Sequence, residues 1–253
     1  MTNTKTSAAI TPDPIAVSSV AKLAQDHSRQ ASGKLSFRHA FQRITARGTS
    51  FNTVIDLGAA KGGWSAVARD FWPDAHYHLV EAKEYWRPEL EKVVASTPNT
   101  SFTIAAVSDK PGKAYFPADA RPFGGHAFNS AQDHTEVVEV PATTIDNEVR
   151  NQKLEPPFFI KMDTHGTELD ILKGAQSTLS QTELLCIEMY NFSGQRRFHE
   201  LIGDLEGFGF RCVDIAEPLF RYLDACLWQI DVFLMPSTSE FFKNSQFWNP
   251  DNS

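Results

Sequence analysis

The segment from residue 52 to residue 65 constrains the fold of this chain most strongly. It reads Asn-Thr-Val-Ile-Asp-Leu-Gly-Ala-Ala-Lys-Gly-Gly-Trp-Ser, an apolar stretch that runs into a turn of small residues. A strand followed by a glycine-rich turn and a helix is typical of α/β nucleotide-binding folds. Small residues let the main chain come close to a ligand, because no large side chain intervenes. The turn therefore predicts a ligand site at the end of the first strand.

A second acid strengthens this interpretation. Residues 76–80 are predicted to form the next strand, which ends in Glu81. This position, about 20 residues after the turn, is where such folds have the carboxylate that binds a ribose. Strands and helices alternate further along the chain, so we expect a parallel sheet. The remaining predicted elements are strands at 101–107, 158–163, 184–189, 210–215 and 228–235, helices at 84–95, 167–179 and 195–206, and a loop at 113–135.

Two ligands compete for the turn, a dinucleotide and S-adenosylmethionine. The dinucleotide fingerprint Gly-x-Gly-x-x-Gly needs a glycine where this chain has Ala60, and bulky Lys61 follows. Asp56 at the end of the strand would repel a pyrophosphate, but it suits a cofactor that carries a sulfonium and an ammonium group. The turn favours S-adenosylmethionine, and a nicotinamide-dependent dehydrogenase remains the rival interpretation.

Composition limits the class of protein. The chain has 253 residues, is 42% hydrophobic and carries a net charge of −7, which disfavours nucleic acid as a partner. Its three cysteines form no metal-type doublet. Neither a signal peptide nor a membrane span is predicted, and we expect a cytoplasmic protein. We predict a tail and helical lid at 1–50, one catalytic domain at 51–236 and a C-terminal tail at 237–253.

Acidic residues end four of the predicted strands. They are Asp56, Glu81, Asp163 and Glu188. Because the carboxyl ends of parallel strands meet at one edge of the sheet, these four carboxylates are expected around one crevice. Each acid taken alone is explained equally well as the cap of the following helix.

Three segments resemble those of FkbM-type S-adenosylmethionine-dependent methyltransferases. The segment Val54-Ile-Asp-Leu-Gly-Ala-Ala-Lys-Gly-Gly is similar to the cofactor-binding turn of the family, and Ala105-Ala-Val-Ser-Asp to its third-strand segment. The most distinctive match is Phe159-Ile-Lys-Met-Asp-Thr-His-Gly-Thr-Glu-Leu-Asp-Ile-Leu-Lys-Gly-Ala. The family pattern there is usually Lys-x-Asp-x-Glu-Gly, so His165 stands where the family usually has Glu.

The resemblance implies a Rossmann-like class I methyltransferase fold of the α/β class. Such a fold has a seven-stranded, mostly parallel sheet with helices on both faces and an antiparallel last strand, here Trp228 to Met235. The resemblance also implies S-adenosylmethionine as cofactor and methyl transfer to a hydroxyl of a sugar or natural product. The cofactor residues predicted from the turn and the resemblance are Asp56, Gly58, Ala60, Gly62, Glu81, Ala82, Val107 and Asp163.

His165 is predicted to be the catalytic base or to orient the acceptor, since an alcohol must lose its proton during methyl transfer and histidine titrates near neutrality. Asp163 is predicted to position His165 or the acceptor. Lys161 lies on the same strand face as Asp163 and is expected to pair with it. The alternative for His165 is an exposed loop histidine without a role.

Other functions remain open on the sequence. A magnesium-assisted mechanism would use Asp163, Glu188 and Asn191, although the prediction assigns no metal ligand. His76 and His78 on one strand face are a weaker metal candidate, because no third ligand is evident. A catalytically inactive cofactor-binding module is a further alternative, motivated by His165.

A small hydroxylated acceptor is the expected partner, a membrane partner is not expected, and self-association is left open. Acceptor specificity is expected to depend on three segments. These are the N-terminal helical segment, the loop with Phe123, His126, Asn129 and Ser130, and the stretch from Tyr190 to Arg197.

Overall fold

The structure, a computed structural model, describes residue 22 and residues 33–117, 137–192 and 196–247. Its helices are α1 (Phe37–Thr45), α2 (Gly63–Arg69), α3 (Arg87–Ser96), α4 (Ile145–Gln152), α5 (Glu168–Lys173), α6 (Gln176–Leu179) and α7 (Phe198–Gly207). Its strands are β1 (Thr53–Leu57), β2 (His76–Glu81), β3 (Thr100–Ile104), β4 (Ala106–Val107), β5 (Gly112–Pro117), β6 (Val137–Thr143), β7 (Phe158–Met162), β8 (Thr182–Tyr190), β9 (Phe210–Phe220) and β10 (Leu227–Pro236). Short 3-10 turns lie at Glu84–Trp86 and Glu240–Phe242.

Seven strands form the central sheet, in the order β3-β2-β1-β7-β8-β10-β9. Strand β1 pairs in parallel with β2 and β7, and the parallel pairing continues outward to β3 and β8. Strand β10 is antiparallel to both of its neighbours, β8 and β9. The predicted seven-stranded, mostly parallel sheet with an antiparallel last strand is therefore confirmed.

Helices cover both faces of this sheet, as predicted. On one face, Phe41 of α1 and Trp72 pack edge-on with ring centroids 5.2 Å apart, over Phe159 of β7. On the other face, α4, α5 and α7 bury Ile145, Ile171 and side chains such as Leu205 against the sheet. Burial on both sides explains why apolar side chains occur on both faces of the central strands rather than alternating with polar ones.

A second sheet of three strands, β4-β6-β5, corrects two predictions. The single strand predicted at 101–107 is divided, because β3 pairs with β2 whereas β4 pairs with β6. The first part of the predicted loop at 113–135 is a strand, β5, which pairs antiparallel with β6. Proline and glycine in that region suggested a loop, but the pairing partners lie 20 to 30 residues further along the chain. The rest of the loop, with Phe123, His126, Asn129 and Ser130, lies outside the described residues.

The two sheets are joined by a buried carboxylate, Glu148 of α4. Its oxygens accept hydrogen bonds from Thr103 of β3 at 2.9 Å and Thr143 of β6 at 2.7 Å. His78 of β2 lies 3.1 Å away, and its other ring nitrogen lies 2.9 Å from Ser101 Oγ. Both nitrogens of His78 therefore have protein partners, which argues against the metal role considered for His76 and His78.

Two further segments differ in detail from the sequence prediction. The helix predicted at 167–179 is interrupted at Gly174, where a Cβ atom would lie 2.4 Å from the Ser108 carbonyl oxygen. Helix α1, from the predicted lid at 1–50, packs its fully buried Ala40, Phe41 and Ile44 into the core. The domain limits at 50 and 236 stay predictions, and most of the N-terminal segment before 33 lies outside the described residues.

In the described ranges, none of the helices has the length and apolar character needed to cross a membrane.

Candidate active site

The glycine-rich turn after β1 is built from backbone conformations that few side chains tolerate. Gly58 has φ +76°, and a Cβ atom there would lie 2.2 Å from the Asp163 carbonyl oxygen. The Gly58 amide donates to the Val80 carbonyl at 2.9 Å, which ties the turn to β2. Gly62 has φ +78° and is the N-cap residue of α2. The turn therefore needs glycine at both positions, for close strand approach at Gly58 and for chain reversal at Gly62.

Beyond this turn lies a cavity of about 470 Å³ at the carboxyl ends of the parallel strands. Its volume lies within the range of ordinary small-molecule sites. Its wall contains Gly58, Ala60, Val80, Glu81, Ala82, Lys83, Ala105, Ala106, Val107, Phe116, Asp163, Thr164, His165, Thr167, Glu188, Tyr190 and Gln229. Three of the four predicted strand-end acids thus meet at one crevice.

Glu81 is held by the backbone of two neighbouring segments. One carboxylate oxygen accepts from the Ala60 amide at 2.8 Å, and the other accepts from the Lys83 amide at 2.8 Å. Burial raises the pKa of Glu81, and the two amide hydrogen bonds oppose that shift. The carboxylate is therefore fixed at the wall of the cavity by donors that do not move with side-chain rotation.

Two predicted cofactor residues lie behind the wall. Asp56 is fully buried, accepts from Ser65 Oγ at 2.6 Å, and lies 3.8 Å from Lys161 Nζ. A Cβ atom added at Gly62 would meet Leu79 and Val93. Neither Asp56 nor Gly62 is part of the cavity wall. Contact of all eight predicted residues with a cofactor stays a prediction.

Lys161 and Asp163 form the ion pair that their common strand face predicted. Lys161 Nζ donates to Asp163 Oδ2 at 2.9 Å, and the lysine side chain is only 5% exposed. Burial opposes the charge of Lys161, but the carboxylates of Asp56 and Asp163 outweigh burial and raise its pKa. A permanent positive charge thus lies directly behind the cavity.

The loop that carries His165 has a strained backbone and is held by hydrogen bonds to Glu168. His165 has φ +56° and Gly166 has φ +109°, so the chain turns sharply after β7. Glu168, which is buried at the start of α5, accepts from the Gly166 amide at 2.8 Å and from Thr164 Oγ1 at 3.2 Å. A left-handed conformation at a non-glycine residue costs on the order of 1–3 kcal/mol and marks a constrained site.

Four side chains meet at this edge of the cavity. His165 Nδ1 lies 2.7 Å from the hydroxyl of Tyr190, which in turn donates to Glu188 Oε1 at 2.7 Å. His165 Nε2 lies 3.5 Å from Asp163 Oδ1. His165 is therefore not a solvent-exposed loop residue, because its ring contacts two neighbouring side chains, and its role in catalysis stays a prediction.

The two acids of this cluster have opposite pKa shifts. Burial, followed by the hydrogen bond and the negative charge of Asp163, raises the pKa of Glu188. Burial also acts to raise the pKa of Asp163, but the charge of Lys161 and the hydrogen bond from Glu188 outweigh it and lower the pKa. Asp163 is therefore the stronger acid of the pair, and Glu188 the weaker one.

Asp163, His165 and Glu188 also form a group suited to a metal ion. One ligand atom from each lies within 4.8 Å of the other two. Asn191, the third ligand of the predicted magnesium site, instead donates its amide to the Leu227 carbonyl at 3.3 Å. The oxygen-only set predicted from the sequence is therefore replaced by two carboxylates and one imidazole.

Sequence reasoning missed several residues of the wall. It treated Tyr190 only as part of an acceptor-specificity stretch, although Tyr190 follows Glu188 by two residues and so shares its strand face. Phe116 was missed because its strand, β5, was read as a loop. Gln229 lies on the antiparallel strand β10, where it pairs with Tyr190 of β8, and no local signal pointed to it.

The strand order and the antiparallel β10 define a class I methyltransferase fold. Residues 56–212, more than half of the chain, match the methyltransferase FkbM domain. The chain belongs to the FkbM methyltransferase family, and it is an S-adenosylmethionine-dependent methyltransferase. The resemblance noted in three short segments is confirmed.

Solved structures with a related fold were also found. A 1,6-didemethyltoxoflavin-N1-methyltransferase from Burkholderia thailandensis is 13% identical, with 91% of this chain and 93% of that chain covered and a TM-score of 0.43. Fibrillarin from Aeropyrum pernix, with natively bound S-adenosyl-L-methionine, is 11% identical, with 73% and 66% covered and a TM-score of 0.45. The mitomycin 7-O-methyltransferase is 10% identical, with 88% and 54% covered and a TM-score of 0.39. No curated protein sequence matches the chain. The family assignment rests on the FkbM match.

Proposed function

We propose that this methyltransferase transfers a methyl group to a hydroxyl oxygen of a small molecule, such as a sugar or natural product. The observation that carries the proposal is the histidine at the cavity edge, His165, whose ring lies beside Asp163 and Tyr190. A hydroxyl acceptor needs a group that takes its proton, and a neutral imidazole serves that need. The cavity of about 470 Å³ suits a small ligand rather than a polymer surface.

The cavity wall also fits the cofactor. Gly58, Ala60 and Ala106 leave space along one side, and Glu81 presents a carboxylate of the kind that accepts from ribose hydroxyls. Ala82 and Val107 supply apolar surface for a base. S-adenosylmethionine, when bound, supplies an electrophilic methyl group on a sulfonium centre.

The chain's own residues would then orient the acceptor and remove its proton. His165 Nε2 accepts the hydroxyl proton, and the electron pair of the O–H bond stays on the acceptor oxygen for the new bond to carbon. Asp163, with its pKa lowered, remains a carboxylate and stabilises the imidazolium that results. Alignment of acceptor and methyl group supplies the larger part of the acceleration, with orientation effects worth about 7–11 kcal/mol.

The substitution that tests this proposal is His165→Gln, with labelled S-adenosylmethionine and a panel of hydroxylated acceptors. We expect label on an acceptor oxygen with the wild-type protein, and a kcat about 10²- to 10⁴-fold lower in the variant. Calorimetry should give an unchanged affinity for S-adenosylhomocysteine. His199→Gln is the matched control, since His199 is exposed on α7.

Several outcomes would reject parts of the proposal. Full turnover by His165→Gln would remove His165 from the mechanism. Label found only on nitrogen would show that the methyl acceptor is a nitrogen atom and not a hydroxyl oxygen. Cofactor binding without label transfer to the acceptors tested would favour the inactive binding module.

A metal-assisted transfer is a second candidate, favoured by the convergence of Asp163, His165 and Glu188 within 4.8 Å. A divalent ion held there would lower the pKa of an acceptor hydroxyl and replace the base. Activity that is lost on treatment with EDTA and restored by Mg²⁺ or Mn²⁺ would support this candidate. Activity unchanged by EDTA would dispose of it.

A further inference from the structure

The hydroxyl of Tyr190 stands between two groups of the proposed site. It lies 2.7 Å from His165 Nδ1 and 2.7 Å from Glu188 Oε1. Tyr190 is the last residue of β8, and the ring of Trp228 packs edge-on against it at 6.2 Å between centroids. The position of the tyrosine side chain is therefore fixed by two hydrogen-bond partners at its hydroxyl and by one aromatic contact at its ring.

The hydrogen bond from Tyr190 to Glu188 favours one tautomer of His165. A tyrosine hydroxyl has one hydrogen to donate, and here it is donated to the Glu188 carboxyl oxygen. The hydroxyl oxygen can then only accept from His165, so the hydrogen between them belongs to Nδ1. A neutral imidazole carries one N–H, which leaves Nε2 with a lone pair.

We propose that Tyr190 is a positioning residue that holds His165 as the Nδ1–H tautomer, so that Nε2 is the atom that takes the proton of the acceptor. This inference rests on the proposed function of His165. In the proton transfer, the acceptor O–H bond breaks, its electron pair stays on oxygen, and the proton forms a new N–H bond at Nε2. The imidazolium later releases that proton to solvent.

The groups around Tyr190 and His165 agree with a hydrogen bond donated by His165. Glu188 Oε1 accepts from the Tyr190 hydroxyl at 2.7 Å, so the tyrosine hydrogen points away from His165. Asp163 Oδ1 lies 3.5 Å from His165 Nε2, where a carboxylate attracts the imidazolium once it forms. In this arrangement His165 donates to Tyr190, and Tyr190 donates to Glu188.

The first test reads the tautomer directly and requires no turnover. The protein is labelled with ¹⁵N-histidine, and the His165 signals are assigned by comparison with His165→Gln. Above the imidazole pKa we expect protonated Nδ1 and unprotonated Nε2 in the wild-type protein. In Tyr190→Phe, we expect this signal pattern to be lost in favour of a tautomer mixture or the Nε2–H form.

Enzyme kinetics provide the second test of the role of Tyr190. Tyr190→Phe should lower kcat by about 10- to 100-fold, because the wrong tautomer presents a hydrogen where a lone pair is needed. The KM for S-adenosylmethionine should change less than twofold, and the rising limb of the pH profile of kcat should shift. Tyr222→Phe is the control, since it removes the hydroxyl of a tyrosine that is 59% exposed.

Two results would overturn the role of Tyr190. One is wild-type His165 as the Nε2–H tautomer, a measurement that does not depend on whether any variant folds. The other is an unchanged tautomer in Tyr190→Phe. Failure of the proposed function looks different, because His165→Gln would then keep full turnover whichever tautomer the spectra report.

Discussion

The two ends of the cavity are built in different ways. At one end, the turn at Gly58 to Gly62 and the carboxylate of Glu81 are fixed by backbone conformation and by main-chain amides. At the other end, His165 is oriented by side chains from other elements, chiefly Tyr190 and Asp163. The turn is encoded within about 25 consecutive residues of sequence, whereas the cluster needs β7 and β8 side by side.

Because of this difference, the two ends of the cavity are expected to tolerate substitution to different extents. The backbone-built end offers little room for substitution, because a Cβ atom at Gly58 would meet main-chain atoms that cannot rotate away. The side-chain end can exchange residues as long as donors and acceptors match, and this chain has His165 where the family pattern usually has Glu.

The largest effect should come from Gly58→Ala. Its Cβ would lie 2.2 Å from the Asp163 carbonyl oxygen, and φ there is +76°. We expect a loss of at least about 3 kcal/mol in the free energy of unfolding, from strain and the steric clash together. Urea unfolding followed by circular dichroism measures this loss.

Gly63→Ala is the matched control for that experiment. It lies five residues further along, begins α2, and has open space where a Cβ would stand. Alanine is favoured over glycine in a helix by about 1 kcal/mol, so a neutral or stabilising effect is expected. Equal losses in both variants would contradict the claim that close approach, rather than glycine content, defines the turn.

Glu81→Gln should have an intermediate effect on the same end of the cavity. The glutamine amide group would face one of the two backbone N–H groups that the carboxylate now accepts from. We expect the Kd for S-adenosylhomocysteine to rise about 10- to 100-fold, which corresponds to hydrogen bonds of about 1.5–3 kcal/mol to a charged group. Isothermal titration calorimetry measures it, with Glu89→Gln on the exposed face of α3 as control. An affinity within twofold of wild type would exclude Glu81 from cofactor binding.

The smallest effect concerns the side-chain end and its dependence on pH. Asp231 of β10 lies opposite Glu188, and burial, despite the attraction of Lys161, raises its pKa to about 7. An unfolded aspartate has a pKa of about 4. Because the folded pKa is higher, the folded state binds more protons, and the contribution of Asp231 to stability falls as pH rises from about 4 to about 7.

Asp231→Asn should remove that fall. The lost attraction to Lys161 offsets part of the gain, so we expect a net stabilisation on the order of 1 kcal/mol at pH 8. Urea unfolding at pH 5 and pH 8 provides the measurement. Asp74→Asn, at an exposed position, should leave the pH dependence unchanged. A steeper fall in Asp231→Asn than in wild type would reverse the sign that burial predicts.

Much of the fold could be predicted from local pattern. The strands at β1, β2, β7 and β8 were found because each is an apolar run bounded by polar or turn residues, and the antiparallel β10 followed from the family resemblance. Strand β5 was missed because strand formation there depends on a partner, β6, that lies on the far side of residues 118–136. Pairing across such a distance leaves no periodic signal within the strand itself.

The sequence by itself determined the turn, the strand-end acid Glu81 and the class of chemistry. These features depend on backbone sterics and strand periodicity, which act between residues close in the chain. The tertiary structure decided that Asp56 lies behind the wall, where it accepts from Ser65 and faces Lys161. It also decided that Tyr190 holds His165. Burial and hydrogen-bond direction arise only when separate strands meet, and they set which of several acids and histidines face the cavity.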